Sequence, residues 1–220
     1  MSLELSEQEL LRREATVKMR ELGIEPYPAA LYEVNAKTKE ILEEFPKDNT
    51  LFQEVSIAGR IMSRRIMGAA SFVVIQDSWG KIQLYVKRDE ICPGEDKTMY
   101  NTVFKKLLDI GDIIGVKGYV FITQMGEISI HVKELTVLSK SIKPLPIVKE
   151  KDGVVYDAFT DTEQRYRQRY LDLIVNEKTR DTLRKRSLII QKVREYLYKQ
   201  GFIEVETPML HTQASGANAR

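Results

Sequence analysis

A mainly β chain with added helices is expected, on three grounds. Between residues 54 and 132, five segments alternate apolar and polar positions with the period of a half-buried strand. A single helical pattern separates the third of these from the fourth. Beyond a Pro- and Lys-rich stretch at 139–153 the apolar spacing becomes helical and stays so to about residue 200.

Ser6-Glu7-Gln8-Glu9 has the form of a capping box and predicts a helix start. Leu10, Leu11, Val17 and Leu22 supply a partial apolar stripe. Gly23 is the expected C-cap, and Pro26 and Pro28 stop further helix. A second short helix is expected over 36–45, before Pro46. Together, residues 1–50 read as an N-terminal helical extension.

The first strand is expected over about 54–66. Val55, Ile57 and Ile61 alternate there with Ser56, Ala58, Arg60, Met62 and Arg64, and Gly59 suggests a bend or bulge. Next comes SFVVIQDSWGKIQLYVK, residues 71–87. Two β-rich runs flank Asp77-Ser78-Trp79-Gly80, a hairpin signature. A loop centred there pairs odd positions of one strand with even positions of the next. Val73, Ile75, Ile82, Leu84 and Val86 then share a core face. Phe72, Val74, Lys81, Gln83, Tyr85 and Lys87 share the other. Rings to stack on, an amide and cations are what an unpaired base requires. A solvated face with incidental aromatics is the alternative.

A helix is expected over 98–109, with Met99, Val103 and Leu107 on one face, Phe104 and Leu108 beside them, and Gly111 as its cap. Two strands follow. Ile114, Val116, Gly118, Val120 and Ile122 form one apolar set, and Ile128, Ile130 and Val132 the other, around a turn at 123–126. Tyr119, Phe121, Glu127, Ser129 and His131 fall on the opposite face, where His131 is assigned no role. Three strands, a helix and two strands is the topology of an OB-fold barrel. That fold binds oligonucleotides on the face of its second and third strands, where Phe72, Gln83 and Tyr85 lie. The barrel domain is drawn at 51–142 and a linker at 143–160.

A second region, 161–220, opens with a capping box at Thr160–Glu163 and a helix through RYRQRYLDLI. A longer helix is expected over 178–200, with Leu183, Ile190 and Leu197 at heptad spacing and Gly201 as its end. Residues 202–207 alternate and meet Pro208, as a strand at a sheet edge or interface would.

Bulk composition excludes several classes. Lys and Arg number 34 against 32 Asp and Glu, so global charge names no partner. Locally, residues 56–88 carry Arg60, Arg64, Arg65, Lys81, Lys87 and Arg88 against Asp77 alone, which favours an anionic partner. Cys92 is the single cysteine, so no internal disulfide forms. With His131 and His211 the only histidines, zinc is not expected. No apolar run is long enough to span a bilayer and the N-terminus is charged, so the cytoplasm is the default location.

Three stretches together resemble the bacterial lysyl-tRNA synthetases, class II aminoacyl-tRNA synthetases with an N-terminal OB-fold. They are AGRIMSRRIMGAASFVVIQDSWGKIQLYV at 58–86, RYRQRYLDLI at 165–174, and the helix through Arg186 and Gln191 followed by GFIEVETPML at 201–210. The last resembles motif 1 of that class, including Pro208. The barrel strands alone are shared with aspartyl and asparaginyl enzymes. A stand-alone single-stranded nucleic-acid-binding module is a further alternative.

The resemblance implies that 161–220 begins a class II α+β catalytic domain. It implies that the barrel reads the uridine-rich anticodon of lysine tRNA. Phe72 matches the ring that stacks on the central uridine, Gln83 the amide that bonds its edge, and Glu127 a third contact. Arg60 and Arg65 match basic positions that approach the anticodon. Ala69 departs from the lysine many relatives carry in this loop. The motif 1 helix and the strand ending at Pro208 imply a homodimer, although an intramolecular core helix fits as well. Ser215-Gly216-Ala217 resembles a loop lining the lysine pocket, with a plain surface loop as the alternative. ATP and magnesium would serve the full-length enzyme, with lysine as its other substrate. Motifs 2 and 3 are not found in the 220 residues, so no catalytic residue and no bound cofactor is expected here. For the N-terminal helix, packing on the domain is expected, with contact to tRNA as the alternative.

Overall fold

The structure is a computed structural model that describes residues 5–146, 149–151, 154–156 and 159–208. The chain divides into two compact units, residues 1–145 and 146–220.

Five strands close the barrel of the first unit: β1 (Val55–Met67), β2 (Ala70–Gln76), β3 (Lys81–Lys87), β4 (Ile113–Ile122) and β5 (Ile128–Ser139), in the order β1-β2-β3-β5-β4. The expected OB-fold is therefore present. β1 is long enough to serve two neighbours. Its first half pairs with β4 and its second half with β2. The seam is the parallel pairing of β3 with β5. Parity in the hairpin holds: Val73 faces Leu84 and Ile75 faces Ile82, all within the core. Period-2 alternation forces this outcome, because one buried face sets the register.

The irregularity of β1 lies at Met62, between Ile61 and Ser63, and not at Gly59. Gly59 is required for close approach. A Cβ there would sit 3.1 Å from the Ile75 Cβ and the Gln76 carbonyl. Gly118 is tighter still, since a Cβ would meet the His131 carbonyl oxygen at 1.9 Å. Ile122, expected in the core, is exposed at the end of β4.

The helix between β3 and β4 spans Met99–Leu107 and is wound as a π-helix. The Leu108 N–H donates to the Val103 carbonyl, five residues back, at 2.9 Å. This wider winding suits a spacing of four, so Tyr100, Phe104 and Leu108 all reach the core. Gly111 does not cap it. Leu108 does, and Gly111 takes φ +105° in the following turn.

Helix α1 (Glu7–Glu21) has the expected capping box at Ser6 and Glu9. Its orientation is the reverse of the expected one. Leu10, Leu11, Val17 and Leu22 face water, while Arg12, Ala15, Thr16 and Met19 are buried. Small Ala15 and Thr16 permit close packing. The Arg12 Nη1 and Nη2 donate to the Ser141 and Ile110 carbonyls at 2.9 and 3.1 Å, while its buried Nε has no partner among the described residues. Helix α2 (Thr38–Glu44) contributes Ile41 to the core. Helix α3 (Arg88–Ile91) is a single turn after β3. At the foot of the barrel Asp112 is buried against Lys140 at 2.8 Å. Burial pushes the Asp112 carboxyl up, and Lys140 opposes that.

In the second unit, β6 (Lys149–Lys151) and β7 (Val154–Tyr156) pair as a short hairpin inside the stretch expected to be a plain linker. The helix expected through RYRQRYLDLI is two helices, α4 (Thr162–Arg167) and α5 (Arg169–Val175), broken at Gln168. Asp161, not Thr160, caps α4, accepting from the Gln164 N–H at 2.8 Å. The break lets α5 turn Asp172 inward, where it accepts from Arg165 at 2.9 Å and Asn176 at 2.6 Å. Helix α6 spans Glu177–Lys199 and ends at Gly201, whose φ is +85°. Residues 202–208 form no strand, because no described strand lies beside them to pair with.

Candidate nucleic-acid interface

The outer face of β2, β3, β4 and β5 is built by register. Phe72 lies opposite Tyr85, and Val74 opposite Gln83. Across the parallel seam Gln83 meets Ser129 and Tyr85 meets His131. From β4, Tyr119 and Phe121 face His131 and Ser129. The result is a connected aromatic sheet. Ring centroids are 5.1 Å apart for Phe72–Tyr85, 5.9 Å for Tyr85–Phe121 and 5.2 Å for Tyr85–His131. Such distances are the favourable range for offset and edge contacts. Half-buried rings joined this way keep a fixed platform while leaving faces available for stacking.

Over this platform lies a cavity of about 680 Å³. Ser63, Arg64 and Arg65 wall it from β1, Phe72 and Val74 from β2, and Gln83 and Tyr85 from β3. Phe121 and the β4–β5 turn with Thr123, Met125 and Glu127 form the far rim. The bulge at Met62 decides which arginine enters. Before it, even positions face out, as Arg60 does. After it, Ser63 pairs with Val74 and Arg65 with Phe72, so odd positions face the cavity. Arg65 is exposed beside Phe72 and pairs with no carboxylate among the described residues.

The other two arginines are engaged elsewhere. Arg60 donates to the Gly111 carbonyl at 2.6 Å and is not among the cavity's walls. Arg64 borders the cavity, but its guanidinium donates to the Phe104 and Leu108 carbonyls at 2.7 and 2.6 Å. A cation at the C-terminal carbonyls of a helix is in a favourable place. Burial lowers the pKa of both. Of the five residues expected to contact the anticodon, the structure thus brings together Arg65, Phe72, Gln83 and Glu127 and sets Arg60 apart.

Gln83 donates through Nε2 to the Ser129 hydroxyl at 3.0 Å. Glu127 is exposed at the rim, its N–H held by the Thr123 hydroxyl at 3.1 Å. His131 is mostly buried. The Tyr119 hydroxyl lies 2.6 Å from its Nδ1. Its Nε2 has no hydrogen-bond partner among the described residues, with Glu90 Oε1 3.9 Å away. Burial pushes the His131 pKa down. Parity puts Tyr119, Phe121, Ser129 and His131 on this face but carries no sign of a role for them. The closing β3–β5 seam, which brings them to Gln83 and Tyr85, leaves no local mark in the sequence.

The second unit carries a different surface. Ile189, Ile190, Val193 and Leu197 of α6, with Phe202 and Ile203, line an apolar cavity of about 730 Å³. Pro208 lies exposed at the end of the extended segment that follows. Gly216 falls outside the described residues. Among those residues no group of three or more His, Cys, Asp or Glu side chains could hold a metal ion, and no helix is long and apolar enough to cross a membrane.

Comparison with known proteins follows this division. Residues 55–138 match the family described as OB-fold nucleic acid binding domain. Residues 161–220 match tRNA synthetases class II (D, K and N). A lysine–tRNA ligase of Porphyromonas gingivalis is 60% identical over 219 residues, which is 99% of this chain and 38% of the relative. One from Azobacteroides pseudotrichonymphae is 57% identical over 98% of the chain and 43% of its own length. One from Christiangramia forsetii is 50% identical over 99% of the chain and 38% of its own length. The chain therefore spans about two fifths of the length of these curated relatives.

Proposed function

We propose that this chain, a homologue of the lysine–tRNA ligases over 99% of its length, supplies the anticodon-reading part of such an enzyme. The observation that carries the reading is the cavity in which Phe72, Gln83 and Arg65 converge from three adjacent strands. An unpaired base stacks on Phe72. The Gln83 amide meets its Watson–Crick edge, and Arg65 meets the neighbouring phosphate. Glu127 adds an acceptor at the rim. Arg60 has no part in this reading, since it lies outside the cavity's walls with its Nη1 turned to the Gly111 carbonyl.

The whole protein, in this reading, joins lysine to its tRNA through lysyl-adenylate, using ATP and magnesium, in the cytoplasm where translation runs. Among the described residues no group of three or more acidic, His or Cys side chains could hold a metal ion. That chemistry is assigned to residues other than these. The apolar side of α6 is assigned to a homodimer contact, with Ile190 within it and Pro208 beyond its end.

The test is a titration of the chain with a lysine-anticodon stem-loop and with a copy whose central uridine is cytidine, at one fixed salt concentration. Preference for uridine by about tenfold or more, about 1.4 kcal/mol, is expected. Equal binding of the two loops would refute base reading and leave only phosphate contact.

A further inference from the structure

We infer that Ser129 is the positioning residue that decides which base Gln83 accepts. The inference rests on the reading of the cavity as a base site and adds to it the origin of selectivity.

A glutamine amide is an ambiguous reader. Uracil presents O4 as acceptor beside N3–H as donor. Cytosine presents N4–H as donor beside N3 as acceptor. A half-turn of the amide exchanges its own donor and acceptor, so a freely turning Gln83 would serve either base. Selection requires something that fixes the turn.

Ser129 is placed to do this. It is the β5 partner of Gln83 across the parallel seam, and it is fully buried. Its hydroxyl points its own proton to the Glu127 carbonyl at 3.4 Å. The oxygen is then left as an acceptor, and Gln83 Nε2 donates to it at 3.0 Å. Val74 and Phe121, opposite Gln83 and Ser129, offer no competing polar group. The Gln83 Oε1 is thereby left as the acceptor for a base in the cavity; set opposite ring position 3, it accepts the N3–H of uridine and opposes the bare N3 of cytidine, whose N4–H lies at the neighbouring position. Locking the donor end costs the amide little, because one hydrogen bond is exchanged for another. Presenting the wrong end to a desolvated base edge leaves polar groups unpaired, which is how selectivity of this kind arises.

The experiment compares uridine and cytidine stem-loops on the full 220-residue chain and on Ser129→Ala, Gln83→Ala and the double variant. Wild type is expected to prefer uridine about tenfold or more. Ser129→Ala is expected to bring the preference to within about threefold by strengthening cytidine binding relative to uridine. In the Gln83→Ala background the same substitution is expected to leave the ratio unchanged, because Ser129 acts through Gln83. Ser129→Thr, which keeps the hydroxyl in a residue suited to strands, is expected to retain the wild-type ratio. A Ser129→Ala protein that keeps the full preference, or loses affinity for both loops equally, overturns the inference while the base-reading function stands. A change of ratio that persists without Gln83 overturns it as well. Equal binding of both loops by wild type is a separate result and removes the function on which the inference rests.

Discussion

The barrel and helix α6 are made of much the same apolar residues, yet water meets them in opposite ways. Ile75 and Leu84 are wholly buried, whereas Ile189 is 63% exposed and Ile203 81%. Five strands closed on themselves supply every inward residue with a neighbour, as a barrel must. Helix α6 has an apolar side for which no described residue provides a cover. The two exposed surfaces also differ in chemistry. The barrel's cavity mixes rings, an amide and an unpaired arginine, which suits a base and its phosphate. The α6 side is aliphatic and aromatic, rimmed by Arg194 and Glu204, which suits another protein surface. Exposure alone says little. Composition is what separates the two surfaces.

The comparison can be broken most directly by truncation. Leu84→Ala is expected to cost about 2–5 kcal/mol in urea unfolding followed by circular dichroism, because it opens a cavity in a closed core. Ile190→Ala should stay within about 0.5 kcal/mol in the same chain, as at surface sites generally. Similar costs at both positions would mean that α6 is covered after all.

Next in size is Phe72→Ala. Loss of one stacked base should weaken stem-loop binding by about 1–3 kcal/mol, with unfolding little changed. Tyr196→Ala on α6 should leave RNA affinity unaltered. A smaller effect is expected from Val193→Lys. If the α6 side pairs with a second copy, sedimentation should show a dimer population that falls on placing a charge in its middle. A monomer in both proteins, at all concentrations, would contradict the homodimer.

The smallest effect is one of pH. Burial lowers the His131 pKa in the folded protein, so the unfolded chain binds more protons as pH falls through the unperturbed value of about 6.5. Stability should therefore decline on acidification from pH 7.5 towards 5.5 and level off below the folded pKa. His131→Phe should flatten that decline. An unchanged slope would show that His131 takes up its proton without loss in the fold.

Much of the fold was legible because it is periodic. Parity in 71–87 assigned every hairpin residue to its side, since a buried face admits one register. The same rule placed Tyr119, Phe121, Ser129 and His131 outward. It failed where one extra residue intervenes. Alternation along β1 pointed Arg64 outward, and the bulge at Met62 gave that place to Arg65. A bulge changes no local propensity, so only pairing with β2 reveals it. The apolar stripe of α1 misled for another reason. Arg12 finds carbonyl partners from distant turns at Ser141 and Ile110 and so can be buried, which releases Leu10 and Val17 to the outside.

By itself, then, the amino-acid order determined the strands of the barrel, the hairpin and the side on which Phe72, Gln83 and Tyr85 lie, because these follow from side-chain period and turn chemistry within a few positions. Tertiary structure decided which of the arginines faces the cavity, which way α1 lies and which hydroxyl grips Gln83. The arginine depends on the pairing of β1 with β2; the other two depend on partners more than 40 residues away, and Gln83 meets Ser129 only after the barrel has closed. No short window of sequence contains both halves of such a contact.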